Sequence, residues 1–154
     1  MVRNKADKEI SRIALHTFQT LHSGQFLPTE LNAGPPAYVK RLDTDIDYIL
    51  VPLTDATGLR GIVQINSHDL SVESSAMISD PSTVFLLSEE IILNAVKKAF
   101  PNKHGLGKPY LAWKPCRESF SSMQPFWVVP FTKGQVYVTQ NYKVFKVLTS
   151  GLGG

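Results

Sequence analysis

Pro125-Phe126-Trp127-Val128-Val129-Pro130-Phe131-Thr132 is an aromatic and β-branched run, and Asp47-Tyr48-Ile49-Leu50-Val51-Pro52-Leu53-Thr54 reads as a second version of it. Each carries an aromatic residue, aliphatic residues, Val-Pro, a large apolar residue and Thr, and each leads through a glycine turn into another β-rich run. Residues of this kind suit a pleated surface that is buried on at least one side, so both stretches are predicted as core strands. Their likeness predicts that the chain is internally duplicated.

Working outward from the first copy, Ile10, Ile13, Ala14, Leu15, Phe18 and Leu21 recur at spacings of three and four, which predicts an amphipathic helix from about Lys5 to Phe26. Gly24 and Pro28 mark its end, since glycine suits the C-terminal cap and proline cannot continue the ladder. A link through Gly34-Pro35-Pro36 leads to a strand at 37–42, an acidic turn at 43–47, the strand at 48–54, a turn at 55–58 and a strand at 59–67. Pro52 has no amide hydrogen to give, which places it at an edge, a bulge or a strand end. A short further strand is expected within 70–78.

The second copy begins with Ser88, followed by Glu89-Glu90-Ile91, which makes a helix start because serine accepts hydrogen bonds from free first-turn amides and carboxylates favour the positive end of the helix dipole. The helix is expected to run to Phe100, with Ile91, Ile92, Ala95, Val96 and Ala99 as its buried stripe. Strands follow at 109–113, 126–132, 136–140 and 144–148. Tyr38 matches Tyr110 at an offset of 72 and Val51-Pro52 matches Val129-Pro130 at an offset of 78, so six extra residues fall in the connection 115–124. The expected fold is α+β: two similar helix-plus-antiparallel-sheet repeats, residues 1–80 and 81–150. A lone core is marginal at half this length, so the two are expected to pack into one compact unit. Residues 151–154, with Gly153-Gly154, read as a flexible tail or as a processing or conjugation site.

Composition narrows the functional classes. With 154 residues, 43% hydrophobic and 19% charged, the chain is that of a soluble globular protein, and no membrane is implied. The net charge of +3 comes from 16 basic and 13 acidic side chains whose signs are interspersed, which argues against a nucleic-acid partner. The single Cys116 excludes an intramolecular disulfide and a cysteine-rich metal site. The N-terminus shows no apolar core of a signal peptide, so the cytoplasm is the default location, with export open if a leader has been lost.

The hairpins Tyr48 to Leu53 with Gly61 to Ile65, and Phe126 to Phe131 with Gly134 to Val138, each following a helix, resemble the PepSY domain. Those domains occur singly or in tandem in propeptides of secreted bacterial peptidases and in other envelope proteins. The resemblance implies inhibition or protein binding, with a peptidase as partner, rather than catalysis. The stretches where that family commonly has Asp and Gly read Asn66-Ser67-His68-Asp69 and Gln140-Asn141-Tyr142-Lys143 here. A helix laid on a curved antiparallel sheet is also the cystatin-like arrangement, which hosts unrelated binding functions.

Two regions are candidates for chemistry. Cys116 lies between Lys114 and Arg117, whose charge would stabilise a thiolate, but a nucleophile also needs a base, and His16, His22, His68 and His104 are all distant in sequence. The alternative is a small, partly buried apolar residue. His16 and His22 are six apart and do not form the i, i+4 pair of a helical metal site. Asp43, Asp45 and Asp47 lack the glycine and terminal glutamate of a calcium loop. No phosphate-cradling loop or zinc spacing is present, so neither cofactor nor metal is expected.

The second region is the aromatic group around the inserted connection, beside Lys114 and Arg117. It reads either as core aromatics under a long hairpin or as a contact surface, since Trp, Tyr and Arg dominate binding energy. The sequence is best read as a non-catalytic protein-binding or peptidase-regulating module with Trp113, Lys114, Arg117, Phe120 and Trp127 as contacts. A homodimer through exposed strand edges is also open. The competing reading is a small enzyme using Cys116, or a cystatin-like ligand binder with a cavity between helix and sheet.

Overall fold

A computed structural model describes residues 2–24 and 31–150, with side chains from residue 5 onward. The first helix ends at Leu21, short of the expected Phe26, and Gly24 stands beyond it at φ +85; the Pro28 break and the 151–154 tail lie outside the described residues. The fold is α+β, and its contacts divide it into two compact units, residues 1–38 with 46–85 and residues 39–45 with 86–154.

In the first unit, helix α1 (Val2–Leu21) lies on a sheet formed by β3 (Tyr48–Asp55), β4 (Gly58–Asn66) and β5 (Val72–Met77), all antiparallel in the order β5-β4-β3. The short β1 (Asn32–Ala33) pairs with the end of β3. Ile10, Ala14 and Phe18 project at spacings of four and are buried against Ile49, Val51 and Leu53 of β3 and Val63 and Ile65 of β4. Leu21, expected on the same face, is 60% exposed. The alternate β3 residues Tyr48 and Leu50 are buried too, which is why the run is apolar throughout instead of alternating. Gly61 is what admits Phe18: a Cβ there would lie 2.4 Å from the ring. Pro52 lies within β3 opposite Ile62, one residue before the irregularity between Leu53 and Thr54, and its carbonyl accepts a hydrogen bond of 2.8 Å from Gly34 N–H.

In the second unit, helix α2 (Glu89–Ala99) packs on β7 (Phe126–Phe131), β8 (Gly134–Val138) and β9 (Val144–Phe145). β6 (Tyr110–Trp113) pairs antiparallel with β7 on one side. On its other side it pairs in parallel with β2 (Ala37–Arg41), Lys40 opposite Ala112 and Arg41 opposite Trp113. Ser88 caps α2, its Oγ accepting from Ile91 N–H at 3.4 Å, and Glu89 and Glu90 occupy the first turn. Ile92 and Val96 are buried against Leu87, Val129, Val136 and Val138. The rest of the expected stripe is not: Ile91 is 40% exposed and Ala99 is exposed, because the sheet under α2 ends in the two-residue β9. Gly107 N–H donates to the Pro130 carbonyl at 2.7 Å.

Candidate functional site

The connection between β6 and β7 is the least regular stretch of the second unit, and its backbone is nevertheless fixed by its own polar groups. Trp113 Nε1 donates to the Ser119 carbonyl at 3.3 Å, and Ser119 Oγ donates to the Gln124 carbonyl at 2.6 Å. Arg117 N–H donates to the Thr149 carbonyl at 2.9 Å, and Thr149 N–H returns a bond to the Glu118 carboxylate at 3.0 Å. Gln140 Nε2 holds the far end through the Pro125 carbonyl at 2.8 Å. Serine and glutamine side chains thus replace the ladder that a loop lacks.

This frame sorts the expected contact residues. Trp113 is buried, with the Arg41 guanidinium 5.3 Å from its ring centroid and Asp43 forked on that guanidinium at 2.9 and 3.0 Å. Trp127 is half-buried on the α2 cluster, and its Nε1 donates to the Leu87 carbonyl at 3.1 Å. Both tryptophans therefore support the connection from inside. What it presents is Phe120, 80% exposed, with the exposed Arg117 and half-buried Lys114 in the same connection. An aromatic ring left that open gives up burial worth about 1.5–3 kcal/mol.

Cys116 is buried, and its Sγ lies 3.6 Å from the Ser119 carbonyl. Burial pushes the thiol above its ordinary range, and the effect of Lys114 is the smallest of those acting on it. The lowered pKa that its basic neighbours suggest is thus reversed, because desolvation outweighs a charge that water screens. No histidine is hydrogen-bonded to it among the described residues. His22 stacks on Phe18 with centroids 4.5 Å apart, and the His104 carbonyl accepts from Thr132. Asp43 lies in the expected acidic turn, exposed and paired with Arg41, while the Asp47 carbonyl accepts from Ser67. Among the described residues no group of three or more His, Cys, Asp or Glu is placed to hold a metal ion. No described helix is long and apolar enough to cross a membrane.

The chain matches no protein-family model, no curated protein and no solved structure. Its own residues carry the functional argument.

Two further features of the second unit bear on function, one of them a cleft between helix and sheet of the kind the competing reading expects. The first is an open cleft of about 510 Å³ walled by Ile91, Ala95 and Ala99 of α2 and by Tyr142 and Val144 of the β8–β9 hairpin, with Lys98 at its rim. Neither Cys116 nor a histidine lines it. The second is charge. Residues 39–45 and 86–154 hold eleven basic and five acidic side chains, a net +6, whereas residues 1–38 and 46–85 hold five basic and eight acidic, a net −3. The whole-chain value of +3 conceals this division. Counting charge separately for each half of the chain would have found it.

Proposed function

We propose that the chain is a non-catalytic protein-binding module, of the kind that regulates a peptidase, and that the β6–β7 connection is its contact. The observation that carries this reading is Phe120: an aromatic side chain 80% exposed on a loop held by the buried Trp113–Ser119 bond on one side and by the part-buried Ser119–Gln124 and Gln140–Pro125 bonds on the other. A pre-ordered loop loses little entropy on binding, so the burial of its ring goes into affinity. Arg117 and Lys114 supply the charge beside it. The buried thiol, raised in pKa and without a hydrogen-bonded base, supports binding over nucleophilic catalysis.

The regulatory part of the reading rests on the PepSY resemblance, in which two α-β-β-β copies are arranged in tandem. What supports the tandem arrangement is the recurrence of one device in each unit: a glycine N–H on a proline carbonyl, Gly34 on Pro52 and Gly107 on Pro130, and in each case a Cβ on the glycine would lie 2.9 Å from the proline Cγ. Lys40 and Arg41 also pair with Ala112 and Trp113 at the same offset of 72 that relates Tyr38 to Tyr110.

The test is the affinity of a cross-linked cellular partner for variants of the loop. Phe120→Ala is expected to cost about 2 kcal/mol, some thirtyfold, and Arg117→Ala about 1 kcal/mol. Unchanged affinity in both variants would remove the site.

A further inference from the structure

The outer row on α2 is only partly covered: Ile91 and Ala99 are exposed, while Ala95 is half-buried against the core cluster. Ile91, Ala95 and Ala99 recur at a spacing of four, so they form a single apolar ridge along the helix. Ile92 and Val96, one position on, fill the core. The ridge is apolar, yet it faces an open cleft with Val144 as the opposite wall. A second opening of about 430 Å³ continues past the helix end along Ala99 to Lys103, and Ala99 lines both.

Tyr142 closes the rim at a cost. It holds φ +67 in the β8–β9 hairpin, where its N–H donates to the Thr139 carbonyl at 3.1 Å, and its side chain is 60% exposed. A non-glycine residue there is strained by about 1–2 kcal/mol. A glycine would make the turn without strain, and only the aromatic ring at the rim distinguishes what is present.

The charge at this end is positive. Lys97 and Lys98 in the last turn of α2 complement the helix dipole, but the dipole does not call for Lys143 and Lys146 on the facing hairpin. None of the four lysines is in an ion pair among the described residues. Glu89 and Glu90 lie at the other end of the helix, outside the lining of either opening.

We propose that this cleft is a docking groove for an acidic peptide segment of a partner protein, one whose alkyl side chains lie on the Ile91-Ala95-Ala99 ridge and whose carboxylates meet Lys98 and, at the second opening, Lys103 and Lys146. Charge complementarity selects the occupant: an apolar floor alone would take any amphipathic segment, and the lysine rim admits acidic ones and repels basic ones. A single-stranded nucleic acid fits less well. Bases need flat aromatic faces, and here the floor is aliphatic while lysine ammonium groups sit over the nearby rings, Lys103 at 4.1 Å from the Phe131 centroid and Lys146 at 5.3 Å from that of Phe100. The groove goes beyond the β6–β7 contact and stands on different residues.

The experiment is fluorescence anisotropy of a fluorescein-labelled peptide in which Glu alternates with Leu and Ile, titrated with the full chain. A peptide with Lys in place of Glu and a labelled oligothymidine serve as parallel probes. The expected result is saturable binding of the Glu peptide alone, weakened at least about tenfold in Lys98→Glu, where attraction becomes repulsion. Tyr142→Gly should weaken it severalfold while leaving the urea midpoint equal or higher, since that change relieves the backbone. Phe120→Ala should bind the peptide as the parent does, which separates this site from the loop. No saturable binding of the Glu peptide, equal binding of the Lys peptide, preference for oligothymidine, or unchanged affinity in both groove variants would each overturn the proposal.

Discussion

An alanine at Gly34 or Gly107 sets a methyl group against a proline ring. In each case the added Cβ lies 2.9 Å from the proline Cγ, and the proline carbonyl that accepts the glycine N–H is only 3.7 or 3.6 Å away. A closed ring cannot rotate aside as a long side chain can, so the strand must move. Overpacking of this kind costs about 1–3 kcal/mol, and the loss of glycine freedom in the unfolded chain returns about 0.4–1 kcal/mol. Each variant is therefore expected to lose about 0.5–2 kcal/mol. Gly134→Ala is the control: its Cβ would sit 3.3 Å from Phe131 Cζ, the movable end of a half-buried side chain, and its cost should stay within about 0.5 kcal/mol. Urea unfolding followed by far-UV circular dichroism measures all three, read as a shifted midpoint at constant slope. If the two proline-facing variants differ by more than about 1 kcal/mol, or either is as stable as the control, then the contacts are not one device used twice and the tandem reading loses its physical support.

Further outcomes follow from other contacts. Gly61→Ala should cost about 1–3 kcal/mol, because its Cβ would meet the fully buried Phe18 ring at 2.4 Å, and Phe18→Leu in the same chain should recover part of that loss in the urea midpoint. Cys116 should resist a thiol reagent at neutral pH. Its folded pKa is raised, so the unfolded chain ionises first and stability is lost as pH climbs beyond the ordinary thiol value; a Cys116→Ala chain should show a flatter alkaline limb. Asp43 is held below its ordinary range by the Arg41 hydrogen bond, so its contribution is present above that range and lost as pH falls through it. The pair is partly exposed, and Asp43→Asn should change acid stability by no more than about 1 kcal/mol.

How far the sequence could be read depends on whether a feature is local. The Ile10, Ala14 and Phe18 face of α1 and the Ser88 cap of α2 are local patterns, and both stand where periodicity and cap chemistry put them. The α2 stripe was legible as apolar but not as two rows, since which row a short sheet covers depends on the length of β9. Residues 39–45 precede β3 in the chain yet belong to the second unit through a parallel pairing that hydrophobic pattern does not encode. In the β6–β7 connection, the inserted aromatics were visible, but their directions were not. Trp113 and Trp127 find backbone carbonyls for their indole N–H groups and turn inward, whereas Phe120 is 80% exposed, against its apolar character.

The central claim is that the chain meets a protein through the β6–β7 connection, and site-specific photocross-linking in living cells tests it most directly. A benzophenone side chain at position 120 should capture a defined protein adduct. The same group at Val84, 66% exposed in the first unit, should capture none. Identical adducts from both positions, or no adduct from position 120, would contradict the account.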